Sequence, residues 1–455
     1  MKKTNQHDFG NGSIVKAILR LAVPMIFAQL INVLYNIVDR IYIGHIPDAS
    51  TQALTGIGLA LPIITIISAF ANLFGSGGAP LFSMARGAGE EEKAKKIMGN
   101  SFSMLLLSGV LLAVVCFLFK RPLLHLFGAS ELSYPYADAY ISIYLIGTVF
   151  VMISLGMNPF INAQGFSLMG MLTVAIGAVF NLILDPIFIF VLDMNVKGAA
   201  LATIISQFVS AVWVLFFLTG KKAILPLKRK DMKLEKALVK SITNLGLSGF
   251  MMSFTTGAVQ IACNATLARY GGDLYIGIMT VINSVREIIT LPVLGLTYGS
   301  QPVLSFNYGA KKYDRIKTAI KFVTCLCVGF LLFMWGLLLA FPNFFIHLFN
   351  SDPALLEKGV PAMHLYFFGI FMMALQFAGQ STFVALGKAK QAVFFSIFRK
   401  IIIVVPLTFL LPMIGNLGTD GVFMAEPISN FIGGLACYAT MIFTVWRKLG
   451  KEEEL

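Results

Sequence analysis

Four acidic residues interrupt otherwise apolar runs of the chain: Asp39, Asp185, Glu287 and Glu426. The remaining acids fall in polar stretches, where solvation accounts for them. A carboxyl in an apolar environment is expensive and marks a function, because it can carry a proton or hold a small cation. Asn181 stands four residues before Asp185, so the two share one helix face. Counted along helices running in the same direction, Asp39 and Asp185 both lie roughly 8–12 Å from the helix ends. Thr203, on a helix running back, reaches a similar depth. Two carboxyls, an amide and a hydroxyl at one level make a candidate all-oxygen cation site. The same groups could hold one proton between two carboxyls.

The elements that position these groups follow from composition. Of 455 residues, 57% are apolar and 13% charged, and the mean hydropathy is +0.81. So little polar cover cannot solvate so much apolar surface, which excludes a soluble enzyme, a disordered chain and a disulfide scaffold. The expected fold is an all-α integral membrane protein. Apolar runs bounded by Gly, Pro and charge clusters read as twelve spans. They cover 14–44, 53–83, 97–119, 136–158, 166–192 and 198–219, then 239–268, 274–306, 316–341, 359–385, 391–414 and 418–446. The five cysteines match neither a disulfide framework nor a zinc site. The polar start reads as a retained tail rather than a signal peptide. Most of the 35 basic residues fall in alternate loops, which places both termini in the cytoplasm. That excess accounts for the net charge of +13, with anionic lipid as the partner of those loops and no nucleic acid.

The chain is also a duplication, with an offset of about 222 residues. Leu124-His125-Leu126-Phe127 faces Ile346-His347-Leu348-Phe349, and Tyr144 with Gly147 faces Tyr366 with Gly369. The expected organisation is an N-lobe (1–220), a basic cytoplasmic linker (221–240) and a C-lobe (241–455). Each lobe holds six helices, the two having the same orientation and being related by an axis along the membrane normal. Such a pair implies a cavity worked by alternating access. The copies differ at the acids: Asp39 corresponds to Cys263, Asp185 to about Val405, and Thr203 to Glu426. Prolines within the spans free carbonyls and kink helices, and Pro24 is the candidate for a conformational role. The histidines form no catalytic set, so an enzyme is not expected.

At these residues the sequence resembles the multidrug and toxic compound extrusion (MATE) family, in its DinF/MepA-like branch. The carrying segments are LAVPMIFAQLINVLYNIVDRIYIG (21–44), NAQGFSLMGMLTVAIGAVFNLILDPIFIF (162–190), KGAALATIISQ (197–207), GLTYGSQPVLSFNYGAKKYDR (295–315) and TDGVFMAEPISN (419–430). The resemblance implies a multidrug efflux antiporter of the bacterial cytoplasmic membrane. It would export amphipathic organic cations in exchange for H⁺ or Na⁺, without a cofactor and as a monomer. It assigns the coupling site to Asp39, Asn181, Asp185 and Thr203, which would be metal ligands if the ion is Na⁺. It adds Tyr35, Asn158 and Glu287 as substrate-pocket positions; Glu426 joins them as a further intramembrane acid. Family members with a coupling acid in the seventh helix would carry it near Cys263, so the departure here puts coupling in the N-lobe. A lipid-linked precursor flippase of the same superfamily is the competing expectation; it would need a basic cavity.

Overall fold

The computed structural model describes residues 9–46, 50–349 and 352–450. The outermost residues of the expected cytoplasmic tails, 1–8 and 451–455, lie outside these. Among the described residues the secondary structure is helical throughout, without a strand. The spans are α1 (Ile14–Gly44), α2 (Ser50–Gly87), α3 (Glu91–Leu118), α4 (Tyr134–Ile146 continued by Thr148–Ala163), α5 (Ser167–Val191) and α6 (Asn195–Thr219). The second set is α7 (Lys236–Tyr270), α8 (Gly272–Gly309), α9 (Tyr313–Ala340), α10 (Pro353–Ala385), α11 (Ala389–Met413) and α12 (Gly418–Trp446). These are the twelve spans expected, several of them longer than the apolar run because polar ends project past it. Short helices Lys120–Leu126 and Pro342–His347 follow α3 and α9.

Two of the spans are broken at repeat-related glycines. The halves of α4 meet at Gly147 with a bend of 59°. A Cβ there would stand 2.6 Å from the Ile204 side chain of α6, so only glycine allows this approach. In α10 the break is at Gly369, whose φ of +74° suits glycine and whose missing side chain makes room for Phe431 of α12. Tyr144 and Tyr366 each stand one turn before their break, and both are buried.

The chain forms two compact units, and their boundary differs from the one expected between the lobes. Among the described residues one contains 23–246, the other 9–22 with those from 247 to 450. The opening turns of α1 thus group with the second unit, and residues 236–246 of α7 with the first. The division inside α1 falls next to Pro24, where the helix continues although the ring removes one backbone donor. In the first unit α2 packs on α3 and α4, and α6 on α4 and α5. In the second, α8 packs on α9 and α10, and α12 on α10 and α11.

The basic linker is itself folded onto α3. The Ser103 hydroxyl donates to the Met232 carbonyl at 2.7 Å, and the Asn100 amide to the Lys233 carbonyl at 3.0 Å. The Asn100 oxygen accepts from Glu235 N at 2.8 Å, and Lys96 pairs with Glu235 at 2.8 Å. The second unit anchors the start of the chain comparably: Asn307 donates to the Phe9 carbonyl at 3.0 Å, and Arg315 to the Gly12 carbonyl at 2.7 Å.

Candidate functional site

The first unit brings together the oxygen-rich set read from the sequence. Asp185 and Asn181 are buried on one face of α5, and the Asn181 amide donates to the Asp185 carboxylate at 3.3 Å. The same amide reaches the Thr203 hydroxyl of α6 at 3.5 Å, while that hydroxyl donates to the Ala199 carbonyl at 3.0 Å. Asp39 of α1 completes the group, its carboxyl lying near that of Asp185. After Asp185-Pro186 the helix widens into a π turn, Ile187–Val191, a winding that recurs at functional sites.

Three acceptor oxygens of this group are buried without a hydrogen-bond partner among the described residues: one each of Asp39, Asn181 and Asp185. Buried polar atoms are normally satisfied. Two neighbouring carboxyls that are both ionised can only accept, so they require a proton or a cation between them. Two carboxylates with an amide and a hydroxyl are hard oxygen donors suited to Na⁺ as well as to H⁺. The donors present therefore fit either ion.

Tyrosines close this group. Tyr35, one turn before Asp39, lies near both acids and Tyr144. Tyr140 lies near Asp39 and next to Thr203, and its ring stacks with that of Tyr144 at 6.1 Å. Tyr140 was missed in the sequence, and Tyr144 was noticed only as a marker of the repeat. Their signal was weak because the chain holds 13 tyrosines and 40 phenylalanines. Asn158 stands apart: it donates to the Gly170 carbonyl at the start of α5, about 22 Å along that helix from Asp185.

The second unit holds a different constellation. Glu426 of α12 is buried and accepts from the Arg399 guanidinium at 2.8 Å through one oxygen. Arg286 of α8 and Lys400 of α11 approach that oxygen at 3.6 and 3.8 Å. Arg399 also donates to Asn430 at 2.8 Å, one turn after Glu426. Arg399 and Lys400 sit in a π stretch, Phe398–Val404. Glu426, expected as a substrate-facing acid, is thus neutralised and outnumbered by cations. The signal available in the sequence was the Arg399-Lys400 pair inside an apolar run, since buried charges need partners. Glu287, next to Arg286, is exposed on α8.

A helical membrane fold of twelve spans, an internal duplication and a buried group of oxygen donors are together the marks of a polytopic transporter. The chain belongs to the MatE family, whose model matches residues 24–187 and 248–410. It is 27% identical to the multidrug export protein MepA of Staphylococcus haemolyticus over 441 residues, 96% of each chain. Identity to the MepA of Staphylococcus aureus is 25% over 438 residues, covering 96% of this chain and 95% of that one. A crystal structure of MATE in the bent conformation superposes with a TM-score of 0.93 over the full length of both chains, at 22% identity. The fold is therefore that of MATE transporters.

Proposed function

We propose that the protein is an ion-coupled multidrug exporter of the bacterial cytoplasmic membrane, working as a monomer with both termini inside. The observation that carries this reading is the buried group of Asp39, Asn181, Asp185 and Thr203, with its three unpartnered oxygens. In the outward-open state H⁺ or Na⁺ enters between Asp39 and Asp185. Its charge relieves the repulsion of the two carboxylates, α1 repacks around Pro24, and the bound molecule is released outside. The emptied carrier turns inward, gives up the ion and reloads. No covalent chemistry and no cofactor are needed. The named relatives, multidrug export proteins over nearly the whole chain, support the same reading.

Substrates are amphipathic organic cations, for which the exposed Glu287 supplies a negative charge. Tyr35 and the abundant aromatic side chains supply apolar and cation–π contacts. Expression in a drug-sensitive bacterial host is expected to lower ethidium accumulation, and Glu287→Gln to impair export of cationic dyes several-fold more than of neutral ones. Unchanged accumulation would refute the export reading, and equal losses for both dye classes would refute charge recognition by Glu287.

The lipid-linked precursor flippase has one observation on its side, the basic cluster around Glu426. The space beside that cluster is about 10 Å³, room for about one water and too small for a pyrophosphate.

A further inference from the structure

The basic cluster of the second unit sets three basic side chains against one buried acid. Arg286, Arg399 and Lys400 face Glu426 in the interior of a membrane-spanning unit, while the next acid along α8, Glu287, is exposed. The other groups beside them, Cys263, Asn283 and Tyr366, are uncharged in their ordinary states. An excess of buried positive charge is costly unless an anion balances it.

The hydrogen bonds show where that anion would sit. Arg399 is satisfied by Glu426 and Asn430. Lys400 is more than nine-tenths buried, yet its ammonium is 3.8 Å from Glu426, too far for a hydrogen bond, and it donates to no other described residue. The Arg286 guanidinium is likewise 3.6 Å from Glu426 and donates no hydrogen bond among the described residues. Both side chains line the same small space, together with Cys263, Asn283, Tyr366 and Glu426. Cationic donors that make no hydrogen bond among the described residues therefore converge on one small space.

The repeat gives this space its meaning. Tyr366 is the counterpart of Tyr144, Cys263 of Asp39, and Glu426 of Thr203. The second unit thus keeps the position of the first unit's ion site with its charge reversed. We propose that Arg286 and Lys400 form a binding site for a small monoanion of halide size.

The test uses the full chain, purified in detergent, with sodium chloride or sodium acetate titrated against sodium isethionate at constant ionic strength. A ligand that binds the folded state raises the melting temperature saturably. The expected result is saturable stabilisation by chloride or acetate, with the midpoint shifted at least tenfold to higher concentration in Arg286→Gln and Lys400→Gln. Should these variants fold poorly, Lys400→Met decides: it leaves the Arg399–Glu426 pair intact and is expected to shift the anion midpoint at least tenfold to higher concentration. Identical, unsaturable responses to all three anions, or an unshifted midpoint in Lys400→Met, would overturn the proposal.

Discussion

Asp39→Asn is expected to lower ethidium export by about tenfold or more, to the level of host cells lacking the protein, at equal amounts in the membrane. Asparagine keeps the shape of the side chain and can still hydrogen-bond Asp185, so folding is not the limiting factor. What disappears is one of the two carboxyls of the proposed ion site. Asp185 remains held by Asn181 at 3.3 Å, and a lone buried carboxylate beside an amide has no neighbour to repel. Occupation by the ion then no longer relieves a conflict, and it drives no change. Asp185→Asn is expected to cost about the same, and the double variant little more than either, because groups that act as one device are not additive. Ethidium efflux from the sensitive host reads all three. Undiminished efflux in Asp39→Asn, or a double variant whose loss is the product of the singles, contradicts a shared site.

The second large effect is on stability. Arg399→Met removes both hydrogen bonds of the guanidinium, leaving Asn430 without its donor and Glu426 with only the more distant Arg286 and Lys400. Breaking a buried pair of this kind costs about 3–5 kcal/mol, and the two nearby cations place the expected loss near the lower figure. Its stem also packs on α12, where a Cβ on Gly433 would stand 2.8 Å from it, so the loss includes packing. Lys400→Met is expected to behave otherwise: that ammonium makes no hydrogen bond, and its removal reduces the excess charge. Arg399→Lys should fail to rescue, since an ammonium cannot reproduce the planar fork that serves two acceptors. Thermal melting of the purified protein compares the three. Equal destabilisation by Arg399→Met and Lys400→Met would contradict the assigned roles.

The contrast between the two units shows what a sequence can disclose. The spans were legible because about twenty apolar residues in a row have few alternatives, and the duplication because paired motifs recur at one offset. Asp39, Asn181, Asp185 and Thr203 could be grouped because helix geometry converts residue count into depth. Three features escaped that arithmetic. The bend at Gly147 rests on contact with Ile204 in another helix, and a glycine in an apolar helix looks the same whether or not such a contact exists. The grouping of residues 9–22 with the second unit depends on packing inside a helix that is continuous in sequence. The basic cluster draws on α8, α11 and α12, so no spacing within one element reveals it. In the sequence Arg286 stands beside Glu287, while its partner lies 140 residues further on.

The central claim is that an ion gradient acting through Asp39 and Asp185 moves the drug. Its most direct test is ethidium flux in proteoliposomes containing the full chain, first under an imposed pH gradient and then under a Na⁺ gradient. The account predicts flux with wild-type protein under at least one gradient, none without a gradient, and none in Asp39→Asn under either. Flux that needs no gradient, or that survives undiminished in Asp39→Asn, would contradict it.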